Sequence, residues 1–371
     1  MTLCRRGVLA LASLATLLLA ACLGGDALPE GITVASTTAT VSATPTASPT
    51  LPPSVTPEPT PASITIAFTG DVMLDRDVER AMEAEGAGYP FAAAKSLFEG
   101  ADLVVVNLEG TLTDAGNPLA KRYVFATAPE LASGLLELPA WAVSLSNNHA
   151  TDYGVAGLRN TLGALDAQGI AHFGAGMSEE EARAPLVTPE DRGPRIAFLG
   201  YSDIGETVFA SGAEGGVSRA SVEAITEDVS ALRAARAADF IVVTLHMGTE
   251  YTHVVTARQQ ELARAAIEAG ATLVVGHHPH VLQTIEEYRA SDGRRGLILY
   301  SLGNFVFDLD ADDLATLGEG PFQSVVAHVT FEVGQHPVLD LRPARIDVIE
   351  NRPRPATPTE AEAILRLLQP Q

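Results

Sequence analysis

The chain has 371 residues, enough for one large α/β domain with attachments or for two average domains, and its 46% hydrophobic content is ample for a buried core. Its 46 acidic residues against 24 basic ones leave a formal net charge of −22. A surface of that sign repels phosphate backbones, which argues against nucleic-acid binding through a basic patch.

The first feature in chain order is a leader over residues 1–22, in which Arg5 and Arg6 precede an apolar stretch from Val8 that ends in Leu19-Ala20-Ala21-Cys22. That stretch is short for a membrane span and closes on small residues, so it reads as an export signal outside the fold. LAAC resembles the bacterial lipobox, which implies cleavage before Cys22 and lipidation of its thiol; an ordinary secretory signal is the other reading. The expected location is extracytoplasmic, with the chain anchored to the cell membrane through lipid. The only other cysteine, Cys4, leaves with the signal, so no thiol remains for a disulfide, a metal or a nucleophile. Residues 23–62 are rich in Thr, Pro and Ser and have little apolar surface to bury, which predicts a disordered tether.

From Ile64 onward short apolar runs alternate with amphipathic stretches. Strands are expected at ITIAF (64–68), LVVV (103–106), WAVSL (141–145), RIAFLG (195–200), FIVVTL (240–245), TLVV (272–275) and LILYS (297–301). Two longer, alternating ones, 324–333 and 341–349, suit an antiparallel sheet covered on one face. Helices are expected over 154–168, 219–238 and 256–269, the last stopped by Gly270. The pattern predicts an α/β domain over 63–350 with a substantial parallel component, and a tail over 351–371 bearing a short helix near 358–369.

Polar residues follow six of these strands directly: Asp71, the pair Asn107 and Glu109, the run Asn147-Asn148-His149, His246, the run His277-His278-Pro279-His280, and Asn304. Carboxyl ends of parallel strands form the ligand crevice of open α/β sheets, so groups distant in sequence can converge there. Singly, each has a plainer explanation: Gly-Asp as a turn, Asn-His as a helix cap, the histidines as a solvated bend. Recurrence at six strand ends favours one site. Two carboxylates, an amide oxygen and several imidazoles suit Mn, Fe or Zn better than Ca or Mg, and a bridging carboxylate suits two ions that activate a water between them.

The segments GDVMLDR (70–76), NLEG (107–110), SNNHATDYG (146–154), HMGTEY (246–251), GHHPHVLQ (276–283) and YSLGNFVFD (300–308) resemble the CapA-type proteins of poly-γ-glutamate capsule biosynthesis, a branch similar to the calcineurin-like metallophosphoesterases. The resemblance implies a four-layer α/β/β/α sandwich of two mixed sheets with metals at the strand ends. It implies one ion on Asp71, Glu109 and His280, and a second on Glu109, Asn148, His246 and His278. It also gives His149, beside Asn148, the task of steadying the transition state or protonating the leaving group. In the superfamily two histidines one residue apart close the site, which selects His278 and His280. Alternate residues of an extended segment share a side, leaving His277 as support. Met73 stands where the superfamily has a histidine, and Met247 where the family often has Trp, a change expected to alter a wall facing the substrate. Asn107, Glu250, Tyr251, Asn304, Lys121 and Arg122 are expected to line or support the cleft, and Asp152 to orient the loop after His149. A basic Lys121-Arg122 pair would draw in an anionic substrate, or simply be solvated.

Two functions follow. One is hydrolysis or group transfer at the cell surface by a metal-bound hydroxide acting on a phosphoester or an anionic γ-glutamyl polymer. The other is a non-catalytic component that holds such a polymer in the same cleft, beside membrane-bound capsule synthesis and export proteins.

Overall fold

The computed structural model describes residues 63–369. The leader, the Cys22 anchor and the tether expected over 23–62 lie outside the described residues.

The chain first lays down four parallel neighbours, β1 (Ser63–Val72), β2 (Leu103–Leu108), β3 (Ala140–Ser144) and β4 (Ala171–Phe173). It then crosses to a second sheet made of β5 (Leu186–Val187), β6 (Ile196–Ser202), β7 (Phe240–His246), β8 (Leu273–His277), β9 (Ile285–Arg289) and β10 (Arg295–Leu299). Its order is β9-β10-β8-β7-β6-β5, parallel at the centre and antiparallel at both edges. Finally the chain returns to the first sheet. There β11 (Asn304–Val306) pairs in parallel with the end of β1, while β12 (Gln323–Glu332), β13 (Val338–Asp347) and β14 (Arg352–Pro355) continue outward as a meander. Both sheets are mixed.

Every residue of β2 and β8 is buried, as expected of parallel strands covered on both faces. Alternation then sorts the side chains. Ile66, Phe68 and Val105 of the first sheet meet Phe198, Val242 and Val275 of the second in one apolar layer. Val104, Val106 and Val143 point the other way, under α1 (Asp77–Glu85) and α2 (Gly154–Gln168). Ile241, Val243 and Val274 on the far face of the second sheet pack beneath α3 (Val222–Ala235) and α4 (Ala257–Ala269). A capping box of Thr256 and Gln259 starts α4 where Thr precedes its first turn. Among the described residues no helix is long and apolar enough to cross a membrane.

The segment expected to be a tail from residue 351 is part of the fold. β14 extends the sheet, and Ile364 and Leu368, in and just after α5 (Pro358–Leu367), join the layer between the sheets. Its sequence RPRP reads as loop, but prolines are tolerated on an edge strand, where one side of the backbone needs no partner.

Candidate metal centre

The strand ends meet because two glycines allow the backbones to approach. A Cβ on Gly70 would fall 2.1 Å from the Gly303 carbonyl oxygen, and one on Gly276 2.1 Å from that of Tyr300, so no other residue fits either place. The next residue, Asp71, donates its N–H to the Gly303 carbonyl at 2.9 Å and is fully buried.

Asp71 Oδ1 accepts from Asn107 Nδ2 at 2.8 Å, and Oδ2 accepts from the His278 N–H at 3.3 Å. Asn107 in turn accepts from Asn147 Nδ2 at 3.1 Å, and Asn147 Oδ1 accepts from the His149 N–H at 3.0 Å. This amide chain links β1, β2 and the loop after β3 and fixes the frame. Burial pushes the Asp71 carboxyl up, but the His280 hydrogen bond and the charges of His277 and His280 hold it below its usual value.

Glu109 is the centre of the cluster. It is fully buried, and neither carboxylate oxygen has a hydrogen-bond partner. Its Oε1 lies 3.7 Å from His280 Nε2, 3.8 Å from His246 Nε2 and 3.9 Å from His149 Nε2. Burial, and then the neighbouring Asp71, pushes this carboxyl well above the usual range. A buried carboxylate without partners costs several kcal/mol, which a cation offsets. The spacings agree with that: ligands at about 2.1 Å from one ion stand roughly 3–4 Å apart.

The imidazoles are held differently. His280 Nδ1 donates to Asn304 Oδ1 at 2.8 Å and lies 3.3 Å from Asp71 Oδ2, which turns Nε2 toward Glu109. Burial lowers its pKa, but Glu109 and Asp71 overcome that and push it up to about 10. His246 Nε2 is 2.7 Å from Asn148 Oδ1. Burial and the surrounding imidazoles hold His246 well below its ordinary value, and burial and His280 bring His278 down to about 3. His278 Nδ1 and His246 Nδ1 are buried without partners. His246 and His278 are thus in the neutral state that metal ligation requires, while His280 and Glu109 would exchange their protons for it.

His149 is oriented from behind. Its Nδ1 donates to Asp152 Oδ2 at 2.7 Å, and that oxygen also accepts the Phe125 N–H at 2.6 Å. Lys121 Nζ sits 2.6 Å from Asp152 Oδ1 and donates to the Asn148 carbonyl at 2.7 Å. Burial lowers the His149 pKa, against the pull of Asp152.

The structure brings Asp71, Asn107, Glu109, Asn148, His149, His246, His278, His280 and Asn304 together, and it changes the expected geometry or role of others. His278 and His280 do not alternate along a strand: β8 ends at His277, and the two have φ values of 97° and 56° on either side of Pro279. Two left-handed residues around a proline, a strained geometry, bring both rings to one side. His277 is a tie between sheets, its Nε2 donating to the Thr69 carbonyl at 3.0 Å. Lys121 is a buried clamp on the Asn148–His149 loop, with 6% of its side chain exposed, and so is neither a solvated residue nor an anion lure. Arg122 stays outside, its guanidinium over the Tyr123 ring. Met247 is buried beneath α3 and α4, away from any substrate wall. Met73 is fully buried and packs with Phe125, Phe307 and Phe322.

A cavity of about 120 Å³ opens beside the cluster, lined by Arg76, Phe125, His149, Glu250, Tyr251 and His280 among others. Sequence reasoning missed Arg76 and Asp308. Arg76 stacks over Phe125 at 4.7 Å and reaches Asp308 at 3.4 Å, and Phe125 itself lies on His149, with ring centres 4.2 Å apart. Both residues end quoted motifs, GDVMLDR and YSLGNFVFD, which was the available signal. A larger cavity of about 420 Å³, near Arg233, Thr272 and Arg295, opens at the opposite ends of the second sheet's strands and contains none of the cluster.

Residues 65–309 match the family described as bacterial capsule synthesis protein PGA_cap. The chain is 37% identical over 248 residues to the PGA biosynthesis protein CapA of Bacillus subtilis (strain 168), covering 66% of this chain and 63% of that protein. It is 32% identical over 256 residues to the capsule biosynthesis protein CapA of Bacillus anthracis, covering 66% and 60%. The match thus spans less than two thirds of either relative's own length. Among solved structures, the NAD nucleotidase of Haemophilus influenzae aligns over 82% of this chain and 55% of that one, at 12% identity and a TM-score of 0.48. With the family's matched segment running through every strand end that builds the cluster, the chain belongs to the bacterial capsule synthesis protein family PGA_cap.

Proposed function

We propose that this chain is a metal-dependent hydrolase or transferase of the cell envelope, acting on a phosphoester or γ-glutamyl amide bond in the biosynthesis of an anionic capsule polymer. The reading includes a metallophosphoesterase-like four-layer sandwich, and a lipid anchor at Cys22 with residues 23–62 as its tether. One observation carries it: Glu109, buried with two unpartnered oxygens, is ringed by three imidazole nitrogens at 3.7–3.9 Å. Family membership supports the biosynthetic context.

Asp71, Glu109 and His280 would hold one divalent transition ion, and Glu109, Asn148, His246 and His278 the other. Bound there, the ions supply Lewis acidity, lower the pKa of water toward neutrality and stabilise an anionic transition state. The chain's own residues do the rest. With Nδ1–H directed at Asp152, neutral His149 presents an unprotonated Nε2, so it first accepts a proton there and then returns it to the leaving group. Asp152 steadies the imidazolium between those events. Arg76, held by the Phe125 face and Asp308, offers its remaining N–H donors to an anionic substrate group in the cavity. Phe125 and Phe307 exclude water from that wall.

The test uses the purified full chain, stripped by a chelator and assayed on a generic phosphodiester and a γ-glutamyl polymer. Turnover should vanish on stripping and return with Mn, Fe or Zn. Metal uptake without turnover of either substrate would favour a polymer-holding role; no uptake of any of these metals would sink the proposal.

A further inference from the structure

We propose that Glu250 is a further metal ligand on the open side of the centre, serving the ion on Asp71, Glu109 and His280 and standing beside His278 of the other set. The inference rests on the metal-centre reading above and extends its ligand set. A Glu250 carboxylate oxygen and one ring nitrogen each of His278 and His280 all lie within 4.8 Å of one another. Ligands at about 2.1 Å, placed opposite each other on one ion, are about 4.2 Å apart, so a small side-chain rotation closes the set.

A second observation fits an ion beside Glu250. His278 is only 6% exposed, and its Nδ1 has no partner. A third concerns the first motif. Met73 packs with Phe125, Phe307 and Phe322, and its thioether is a poor ligand for a hard ion, so this position supplies little to the cluster. The ion on Asp71, Glu109 and His280 is then short of a protein ligand on the side that faces the cavity. Glu250 lines that cavity.

Exposed carboxylates are usually mobile, but the loop carrying this one is bonded to the segment that carries the histidines. The Met247 N–H donates to the His277 carbonyl at 3.0 Å, and the Tyr251 N–H to the Pro279 carbonyl at 2.8 Å. Beyond it, Gln283 Nε2 donates to the Thr252 carbonyl at 2.9 Å. Gly248, at φ 112°, lies so close to the Gln259 amide that a Cβ would come within 2.8 Å of it, and Gln259 donates onward to Gln283 at 2.7 Å. The backbone carrying Glu250 is therefore tied to the backbone carrying the two histidines. The cation in the same cavity, Arg76, is paired with Asp308. A carboxylate with two imidazoles is a mixed set that suits Mn, Fe or Zn.

The test titrates Mn²⁺ into the chelator-stripped full chain by calorimetry, with electron paramagnetic resonance to count bound ions. Wild type, Glu250→Ala and the neighbouring control Thr249→Ala are compared after equal thermal stability of the stripped forms is established. Glu250→Ala should lose one bound ion or weaken it at least tenfold, while Thr249→Ala follows wild type. Identical isotherms for wild type and Glu250→Ala would overturn the inference and leave the rest of the centre standing. A wild-type chain that binds no Mn²⁺, Fe²⁺ or Zn²⁺ would remove the centre, and this ligand with it.

Discussion

Replacing Lys121 with Met should destabilise the fold and shift the pH at which His149 titrates. Lys121 Nζ lies 2.6 Å from Asp152 Oδ1 and also donates to the Asn148 and Glu206 carbonyls, with 6% and 0% of the two charged side chains exposed. Methionine keeps most of the aliphatic volume, so the change removes charge and donors and leaves Asp152 buried beside one imidazole. Deleting one partner of a buried ion pair costs about 3–5 kcal/mol, against less than about 1 kcal/mol for an exposed pair. For a domain of this size that lowers the melting temperature on the order of 10 °C. The Lys121 charge is one of the influences that lower the His149 pKa, after burial, so its loss should move His149 upward. Urea unfolding followed by circular dichroism measures the first effect, and a pH profile of turnover the second. Asp152→Asn in the same background should recover part of the lost stability, because the uncompensated charge is then gone. A loss below about 1 kcal/mol, with no recovery in the double variant, would show that Lys121 is only a surface residue.

Above about pH 7, where the four imidazoles held low by burial (His149, His246, His277 and His278) are already neutral in either state, the chelated chain should become less stable as pH rises. His280 and Glu109 both have folded pKa values raised above their ordinary 6.5 and 4.5, so their protons favour the fold at low pH and that contribution is lost on the way up, through about pH 10 for His280. Bound metal replaces those protons, so the urea midpoint of the loaded chain should lack this slope; parallel curves for the two forms would contradict it. Arg76→Met should raise KM for an anionic substrate roughly tenfold with little change in kcat. An unchanged KM would remove Arg76 from substrate binding. His149→Ala should lower turnover by about 10²–10⁴ while metal content stays at the wild-type level, and full activity would end its assignment as proton carrier.

The central parallel strands were legible because burial on both faces leaves unbroken runs such as LVVV, and the residues after them fall at the strand ends whatever the loops do. The edges were less legible. β9, IEEYR, is half solvated and carries no apolar run, and β14 hides behind its prolines. At the site, ligand types could be read from position, but orientation could not. The left-handed backbone of His278 and His280 is imposed by the Pro279 turn and by contacts from the Glu250 loop, neither of which spacing reveals. Lys121 and Arg122 look alike in sequence. They diverge only because Asp152, far along the chain, comes within reach of the first.

The most direct measurement is the metal content of the native protein, purified without added metal and counted by mass spectrometry beside His278→Ala, His280→Ala and His277→Ala. About two transition ions per chain are expected, with large losses in the first two variants and a small one in the third, whose imidazole bonds the Thr69 carbonyl. A native chain without transition metal, or equal losses in all three variants, would contradict the account.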